Sequence, residues 1–355
     1  MRGKRLFLAA TILAALGMGG GTALMAMEKK PPQAGAKATL AAGLIKPSTP
    51  TTAIEGASYT GSAACKDCHA KEFKEWNASG HANMLRAVKA DIVKGDFGGL
   101  EITYEGVEAE DAEKKKVKIN PKVKVENKDG KFLVSLLDMD NPAGTQTYEV
   151  VEVLGSLWEQ QYYLKVGSRI YPSPVRWVEG DKQWRKAPFA QYWWTADGTP
   201  DGKPRAPEDM PGKMTVDYQC NGCHTTAYNA KKDDQGKYSF SRQEGGVGCE
   251  ACHGPGSKHV AAQGKGGILN PAKLGTWQQE QLCGQCHSRV TSKQDKGIAF
   301  PLGFRVGQTD LQDKVEFWTY STKPGNFWAN EAANKNRQQY HDTMRSGHMA
   351  AGVTC

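Results

Sequence analysis

Nine cysteines and eight histidines are the residues of this 355-residue chain best suited to chemistry. Eight of the cysteines form four pairs with two residues between the partners, and a histidine directly follows each pair. The four segments are Cys65-Lys66-Asp67-Cys68-His69, Cys220-Asn221-Gly222-Cys223-His224, Cys249-Glu250-Ala251-Cys252-His253 and Cys283-Gly284-Gln285-Cys286-His287. Two thiols one helical turn apart can bond to the two vinyl groups of one porphyrin, and the adjacent imidazole can then bind its iron. The pattern predicts at least four covalently attached c-type haems.

Paired cysteines have three other common uses, which compete with haem attachment. They can hold structural zinc, act as redox-active dithiols, or form disulfides in an exported protein. None of these uses requires a histidine immediately after every second cysteine. The repeated histidine therefore favours haem.

Four histidines lie outside the motifs, at positions 81, 259, 341 and 348. Because there is one for each predicted haem and none within residues 100–195, we predict that His81, His259, His341 and His348 are distal iron ligands. Iron held by two imidazoles is low-spin, changes oxidation state with little rearrangement and has no axial position open to a substrate. Such haems relay electrons. Which distal histidine serves which haem stays open at this point.

The ninth cysteine, Cys355, is the last residue of the sequence. Gly352-Val353-Thr354-Cys355 has the form of Gly246-Val247-Gly248-Cys249, which opens a motif, and Ser346-Gly347-His348 repeats Ser79-Gly80-His81. We therefore expect Cys355 to begin a fifth haem site in a chain that is a fragment. The alternative is a free or intermolecular thiol.

The N-terminal residues have the pattern of an export signal. A basic head with Arg2, Lys4 and Arg5 precedes an apolar run to about Met18 and then small residues, which predicts a cleaved signal peptide over residues 1–26. The alternative is an uncleaved membrane anchor. Residues 27–58, rich in Pro, Ala, Thr and Lys, are predicted to be a flexible linker. The protein is thus expected in the periplasm or at the cell surface of a bacterium.

The rest of the chain must position the motifs. Residues 59–90 are predicted to be a first haem-binding segment, and residues 91–215 a β-rich insertion with a hairpin signal at Asn127-Lys128-Asp129-Gly130. Residues 216–355 would form the multihaem region. The expected fold class is mainly α with much irregular chain, organised by its haems, with the β-rich insertion between the first and second motifs.

Composition and charge agree with a protein built around cofactors. Only 39% of the residues are apolar and the mean hydropathy is -0.59, so bound haems would have to fill much of the interior. The formal charge of +8 includes three charges in the signal head. Haem propionates would offset most of the remainder, so the positive charge does not indicate nucleic acid as a partner.

The motifs resemble those of multihaem cytochromes related to the nitrifiers' tetrahaem cytochrome c, which accepts electrons from hydroxylamine oxidoreductase. The segments that carry the resemblance are Tyr59 to His69, Trp76, Ser79-Gly80-His81, Gly246 to Ser257 with His259, and Ser346-Gly347-His348, and more loosely Gln161 to Leu164 and Pro174 to Trp177. The resemblance implies that His81, His259 and His348 are distal ligands. The long insertion and the higher expected haem count depart from the small tetrahaem proteins, so it does not imply a specific partner.

The expected function is electron relay in respiration through closely spaced haems, with redox proteins as partners. These partners would be quinol-oxidising cytochromes, terminal reductases or other multihaem cytochromes. The first alternative is a reductase of a nitrogen or sulfur oxyanion, which needs one haem with an open axial position. The second is a subunit of an extracellular haem filament. The sequence leaves open whether the protein is also an enzyme.

Overall fold

The computed structural model of the protein describes residues 46–355. The predicted signal peptide and most of the predicted linker lie outside these residues. Of the linker segment, residues 46–58 are described, and they hydrogen-bond to the chain near the fourth motif. The Lys46 N–H donates to Thr276 Oγ1 at 2.9 Å, and Gln278 Nε2 donates to the Thr49 carbonyl at 2.7 Å.

Strands occupy more of the fold than helices do. In chain order the strands are β1 (Leu85–Ala87), β2 (Gly98–Thr103), β3 (Val107–Glu110), β4 (Lys116–Ile119), β5 (Lys122–Lys128), β6 (Lys131–Leu136), β7 (Gln146–Leu154), β8 (Glu159–Val166), β9 (Arg169–Val178), β10 (Gln183–Lys186), β11 (Trp194–Thr195), β12 (Lys203–Pro204), β13 (Thr225–Thr226), β14 (Asn229–Lys232), β15 (Tyr238–Ser241), β16 (Glu244–Gly245), β17 (Val290–Ser292) and β18 (Val315–Phe317).

The α-helices are all short. They are α1 (Ala70–Asn77), α2 (Val216–Gln219), α3 (Asn221–His224), α4 (Cys249–His253), α5 (Ser257–Ala261), α6 (Thr276–Gly284), α7 (Leu311–Lys314), α8 (Gln339–Thr343) and α9 (Gly347–Ala350). Within residues 46–355, no helix has the length and apolar character needed to cross a membrane.

An eight-stranded antiparallel sheet is the largest element. Its order is β10-β9-β8-β7-β6-β5-β2, and β1 pairs with β7 beside this path. Strand β5 illustrates the pattern that favours a sheet. Val123 and Val125 are buried while the residues between and beside them are not, as expected when successive side chains of a strand point to opposite faces. The turn from β5 to β6 uses Asp129 and Gly130, which both have positive φ values, as a tight two-residue hairpin requires.

The expectation of a mainly α fold is wrong. Each Cys-x-x-Cys-His motif needs only about one helical turn, so the motif helices stop after four to nine residues. The segments between residues 85 and 204, in contrast, extend into strands of up to ten residues that pair with one another. The protein is therefore mainly β, and its motif-bearing segments are short helices and connecting chain.

The interior of the sheet should be sensitive to the loss of apolar volume. Leu164 on β8 is fully buried, so Leu164→Ala is expected to lower the free energy of unfolding by about 2–5 kcal/mol. Leu100 on β2 is 43% exposed, and Leu100→Ala should change it by at most about 0.5 kcal/mol. Denaturant unfolding followed by circular dichroism compares the two. Equal effects would contradict the packing of this sheet.

Candidate haem sites

The first, second and fourth motifs fold as single helical turns. In each, the histidine N–H donates to the carbonyl of the first cysteine: His69 to Cys65 at 3.0 Å, His224 to Cys220 at 3.2 Å and His287 to Cys283 at 2.9 Å. The third motif is the short helix α4. A helical turn brings the two thiols and the imidazole to one side of the backbone, as binding to a single porphyrin requires.

A cavity of about 500 Å³ is lined by residues of the second, third and fourth motifs. Cys223, Cys252 and Cys286 contribute to its wall, and His81 of the first segment reaches it as well. Its volume falls within the range of ligand sites in proteins. The structure thus brings together motifs that lie far apart in the sequence.

The imidazole nitrogens of three histidines are oriented by oxygen acceptors. His253 Nδ1 lies 2.8 Å from the Leu269 carbonyl, His259 Nδ1 lies 2.7 Å from the Gly266 carbonyl, and His287 Nδ1 lies 3.1 Å from Gln339 Oε1. Because these oxygens only accept, Nδ1 carries the proton and Nε2 keeps its lone pair. Histidines that bind a metal through Nε2 are held in this way.

Two pairs of histidine rings lie at a centroid separation that is compatible with one iron between them. The ring centroids of His69 and His259 are 6.1 Å apart with the planes at 20°, and those of His81 and His287 are 6.1 Å apart with the planes at 80°. A metal–imidazole bond is about 2 Å long, so two rings on opposite sides of one metal have centroids about 6 Å apart. Both pairs therefore fit axial coordination of haem iron.

Two arginines, Arg289 and Arg337, bring positive charge close to His224 beside the cavity. Burial, with Arg337 and His287 nearby, lowers the pKa of His224 to about 4, so its imidazole is neutral and able to bind a metal. Burial, together with the charge of Arg337, lowers the pKa of Arg289 to about 10. Within residues 46–355, neither arginine forms an ion pair with a carboxylate. Haem propionates would supply the missing negative charge.

All nine cysteines lie in the described part of the chain and none of them forms a disulfide there. Thiols from different motifs adjoin. Cys65 and Cys249 share a hydrogen bond that helps burial raise the pKa of Cys65 to about 11. A second contact joins Cys223 to Cys286 and lowers the pKa of Cys223 to about 7. Thiols of the first and third motifs, and those of the second and fourth, are therefore close together.

Cys355 lies against the fourth motif. Its N–H donates to Glu280 Oε1 at 2.9 Å, and its Sγ lies 3.5 Å from Glu280 Oε2. Burial, Glu280 and Cys283 raise the pKa of the Cys355 thiol to about 12. A haem attached at Cys355 would thus be next to the one at Cys283 and Cys286.

The remaining two predicted ligands have different surroundings. His341 Nε2 accepts the Arg289 backbone N–H at 2.9 Å, and its ring packs against Phe317 and Phe327 at the edge of a second cavity of about 650 Å³. Iron ligation through Nε2 would require that hydrogen bond to break. His348 is exposed on α9. Neither histidine stacks against a motif histidine in the structure.

Several residues that orient the site could not be found by their spacing. The acceptors for Nδ1 are the backbone carbonyls of Leu269 and Gly266, which any residue could supply, and the side chain of Gln339. Arg289 and Arg337 belong to no motif. Glu250 occupies a variable position inside the third motif, and only its burial reveals a role.

Comparison with known proteins agrees with this geometry. Residues 64–138 and 179–254 match the family described as cytochrome c554 and c-prime. Cytochrome c-554 of Nitrosomonas europaea is 32% identical over 132 residues, which cover 33% of this chain and 54% of that protein. This chain is a multihaem c-type cytochrome related to cytochrome c554. It spans about half the length of the curated relative it matches. The predictions of a multihaem cytochrome and of covalently bound haem c are confirmed.

Two solved structures are similar to this multihaem cytochrome. The outer cell wall cytochrome OcwA superposes with a TM-score of 0.51 at 22% identity, covering 82% of this chain and 52% of OcwA, and so shares its fold. An undecahaem cytochrome from the S-layer of Carboxydothermus ferrireducens gives a TM-score of 0.35 at 18% identity, covering 65% of this chain and 25% of that one.

Removing one guanidinium should change the reduction potential of the haem at the second motif. Arg337 lies 3.9 Å from Cys223 Sγ, and its positive charge favours the reduced haem, which carries one more electron. Arg337→Gln is therefore expected to lower the midpoint potential by a few tens of millivolts in a spectroscopic redox titration. Lys335→Gln, an exposed change in the same segment, is the control. Identical titration curves for both variants would contradict this role.

Proposed function

We propose that this cytochrome relays electrons through closely spaced haems, at least some of them bound by two histidines. Two histidine pairs carry the proposal, His69 with His259 and His81 with His287. In each pair the ring centroids lie 6.1 Å apart, and a motif histidine is joined to one outside the motifs. The proposed attachment thiols are Cys65, Cys68, Cys220, Cys223, Cys249, Cys252, Cys283 and Cys286, with Cys355 for a further haem. The proposed proximal ligands are His69, His224, His253 and His287.

The facing pairs support a specific assignment of two distal ligands. His259 would complete the iron at His69, and His81 would complete the iron at His287. The His259 Nδ1 hydrogen bond to Gly266 leaves Nε2 for the metal, as does the Gln339 contact of His287. The distal ligands of the haems at His224 and His253 are not assigned. His341 and His348 are the remaining candidates.

Contacts between motifs support a relay rather than isolated centres. Cys65 of the first motif adjoins Cys249 of the third, and Cys223 of the second adjoins Cys286 of the fourth. Haems attached at such neighbouring thiols would lie close to one another. The chain would therefore accept an electron at one haem and deliver it from another, without binding a substrate at iron.

The site of action that fits best is outside the cytoplasm, in the periplasm or at the cell surface. Covalent haem attachment takes place outside the cytoplasmic membrane, and the N-terminal residues have the pattern of an export signal. The two structural relatives are named for the outer cell wall and the S-layer. The partners would be other redox proteins that exchange electrons with the exposed haem edges.

Mass spectrometry of the mature protein tests haem attachment directly. Protein produced in a host that matures c-type cytochromes should carry at least four haem masses that survive denaturation, because thioether bonds are covalent. A Cys220→Ala/Cys223→Ala double variant should lose one haem. The bare polypeptide mass in the wild-type protein would refute the proposal.

Spin state tests the two axial assignments. His259→Ala and His81→Ala should each convert one low-spin haem per chain to high-spin, because each removes one axial imidazole. Electron paramagnetic resonance of the ferric protein measures this change, and Lys265→Ala, an exposed change beside Gly266, is the control. Fully low-spin spectra for both histidine variants would contradict the pairing. A high-spin haem in the wild-type protein would favour the oxyanion reductase.

A further inference from the structure

Glu250 is a fully buried carboxylate inside the third motif, with 1% of its surface exposed. It accepts hydrogen bonds from four donors, three of them on the distant residues Thr60 and Gly61 and one on Gly256, six residues further along the chain. The Thr60 N–H lies 2.9 and 3.0 Å from its two oxygens, the Gly61 N–H lies 2.7 Å from Oε2, and the Gly256 N–H lies 2.7 Å from Oε1. The Thr60 hydroxyl adds a contact of 3.3 Å to Oε1.

The side-chain oxygens of Glu250 act only as hydrogen-bond acceptors in this environment. Every partner donates, and within residues 46–355 no lysine or arginine lies at ion-pair distance from it. A buried charge without such donors would be strongly unfavourable. A Cβ added at Gly256 would lie 3.2 Å from Glu250 Oε1, which is a tight contact. The carboxylate is therefore fixed by its donors.

Each of the two groups of donors lies on a segment that precedes one histidine of the pair His69 and His259. Thr60 and Gly61 directly precede the turn that carries Cys65 and His69. Gly256 directly precedes helix α5, which carries His259. Next to this contact, Ser58 and Ser257 exchange two hydrogen bonds, of 2.8 and 3.1 Å. Glu250 thus connects the segment before His69 to the segment before His259.

We propose that Glu250 is a positioning residue that holds His259 against His69, so that both imidazoles reach the same iron. This inference rests on the proposed axial pairing and adds the element that enforces it. The carboxylate anchors both segments to α4, between Cys249 and Cys252. It therefore also fixes the first haem relative to the haem of the third motif.

The isosteric substitution Glu250→Gln tests the proposal in the full-length haem-loaded protein. The amide NH2 of glutamine must replace one acceptor oxygen, so it faces a backbone N–H of either segment and that segment loses its anchor. We expect a high-spin ferric signal approaching one haem per chain. Added imidazole should restore the low-spin spectrum, because free imidazole can occupy the position that His259 leaves. A general loss of stability would not give this rescue.

Glu244→Gln is the matched control. Glu244 accepts from the Ser62 backbone N–H at 3.2 Å and from the Ser62 hydroxyl at 2.6 Å, but it has no contact with Gly256. This variant leaves in place the hydrogen bonds by which Glu250 connects the two segments, so it should stay low-spin. If Glu250→Gln is also low-spin while His259→Ala is high-spin, the positioning role is refuted and the axial pairing stands. If His259→Ala is low-spin, the pairing itself fails.

Gly256→Ala is a second test of the positioning role, and it leaves the Glu250 side chain unchanged. Its methyl group would crowd Glu250 Oε1, and a partial high-spin signal is expected. If Glu250→Gln matures incompletely, peptide mapping locates the missing haem. Loss confined to the peptide with Cys65 and Cys68 supports the proposal, and so does a high-spin signal in Gly256→Ala. Loss from all motifs overturns it.

Discussion

A haem iron has two axial positions on opposite faces of the porphyrin, and this geometry constrains the whole protein. Two imidazoles from different segments must meet across one flat ring. In this chain the proposed ligand pairs are His69 with His259 and His81 with His287, whose ring centroids lie 6.1 Å apart in each pair. In both pairs the partners are separated in the sequence by the entire eight-stranded sheet. The fold can therefore be understood as the means of bringing these segments back together.

The sheet contributes to that meeting through its first strand. Leu85 on β1 pairs with Leu154 on β7, which anchors the chain just after His81. The carbonyl of His81 accepts the Val247 N–H at 2.9 Å, and the Trp76 indole donates to the Val247 carbonyl at 2.9 Å. The segment that carries His81 is thus fixed between the sheet and the third motif. A stable β scaffold makes it possible for short, irregular motif segments to keep defined positions.

Charged side chains of both signs lie close to the motifs. Arg289 and Arg337 bring positive charge to the second and fourth motifs, where haem propionates would compensate it. Glu250, inside the third motif, is a negative group compensated by backbone N–H donors. Reduction potentials depend on such fixed charges because the interior screens them less than water does. The order in which the haems are reduced should therefore reflect these residues.

The sequence alone determined the cofactor, because the spacing of two thiols and an imidazole within five residues is a local property that survives in any fold. It did not determine the fold class, since one-turn motifs resemble longer helices in their residue pattern, whereas sheet pairing depends on partners far along the chain. The sequence shows four candidate distal histidines as a set, but it does not show how they pair, because spacing carries no information about contacts between distant segments. Only the tertiary structure placed His259 opposite His69, oriented Nδ1 towards a backbone carbonyl, and buried Glu250 between the two segments.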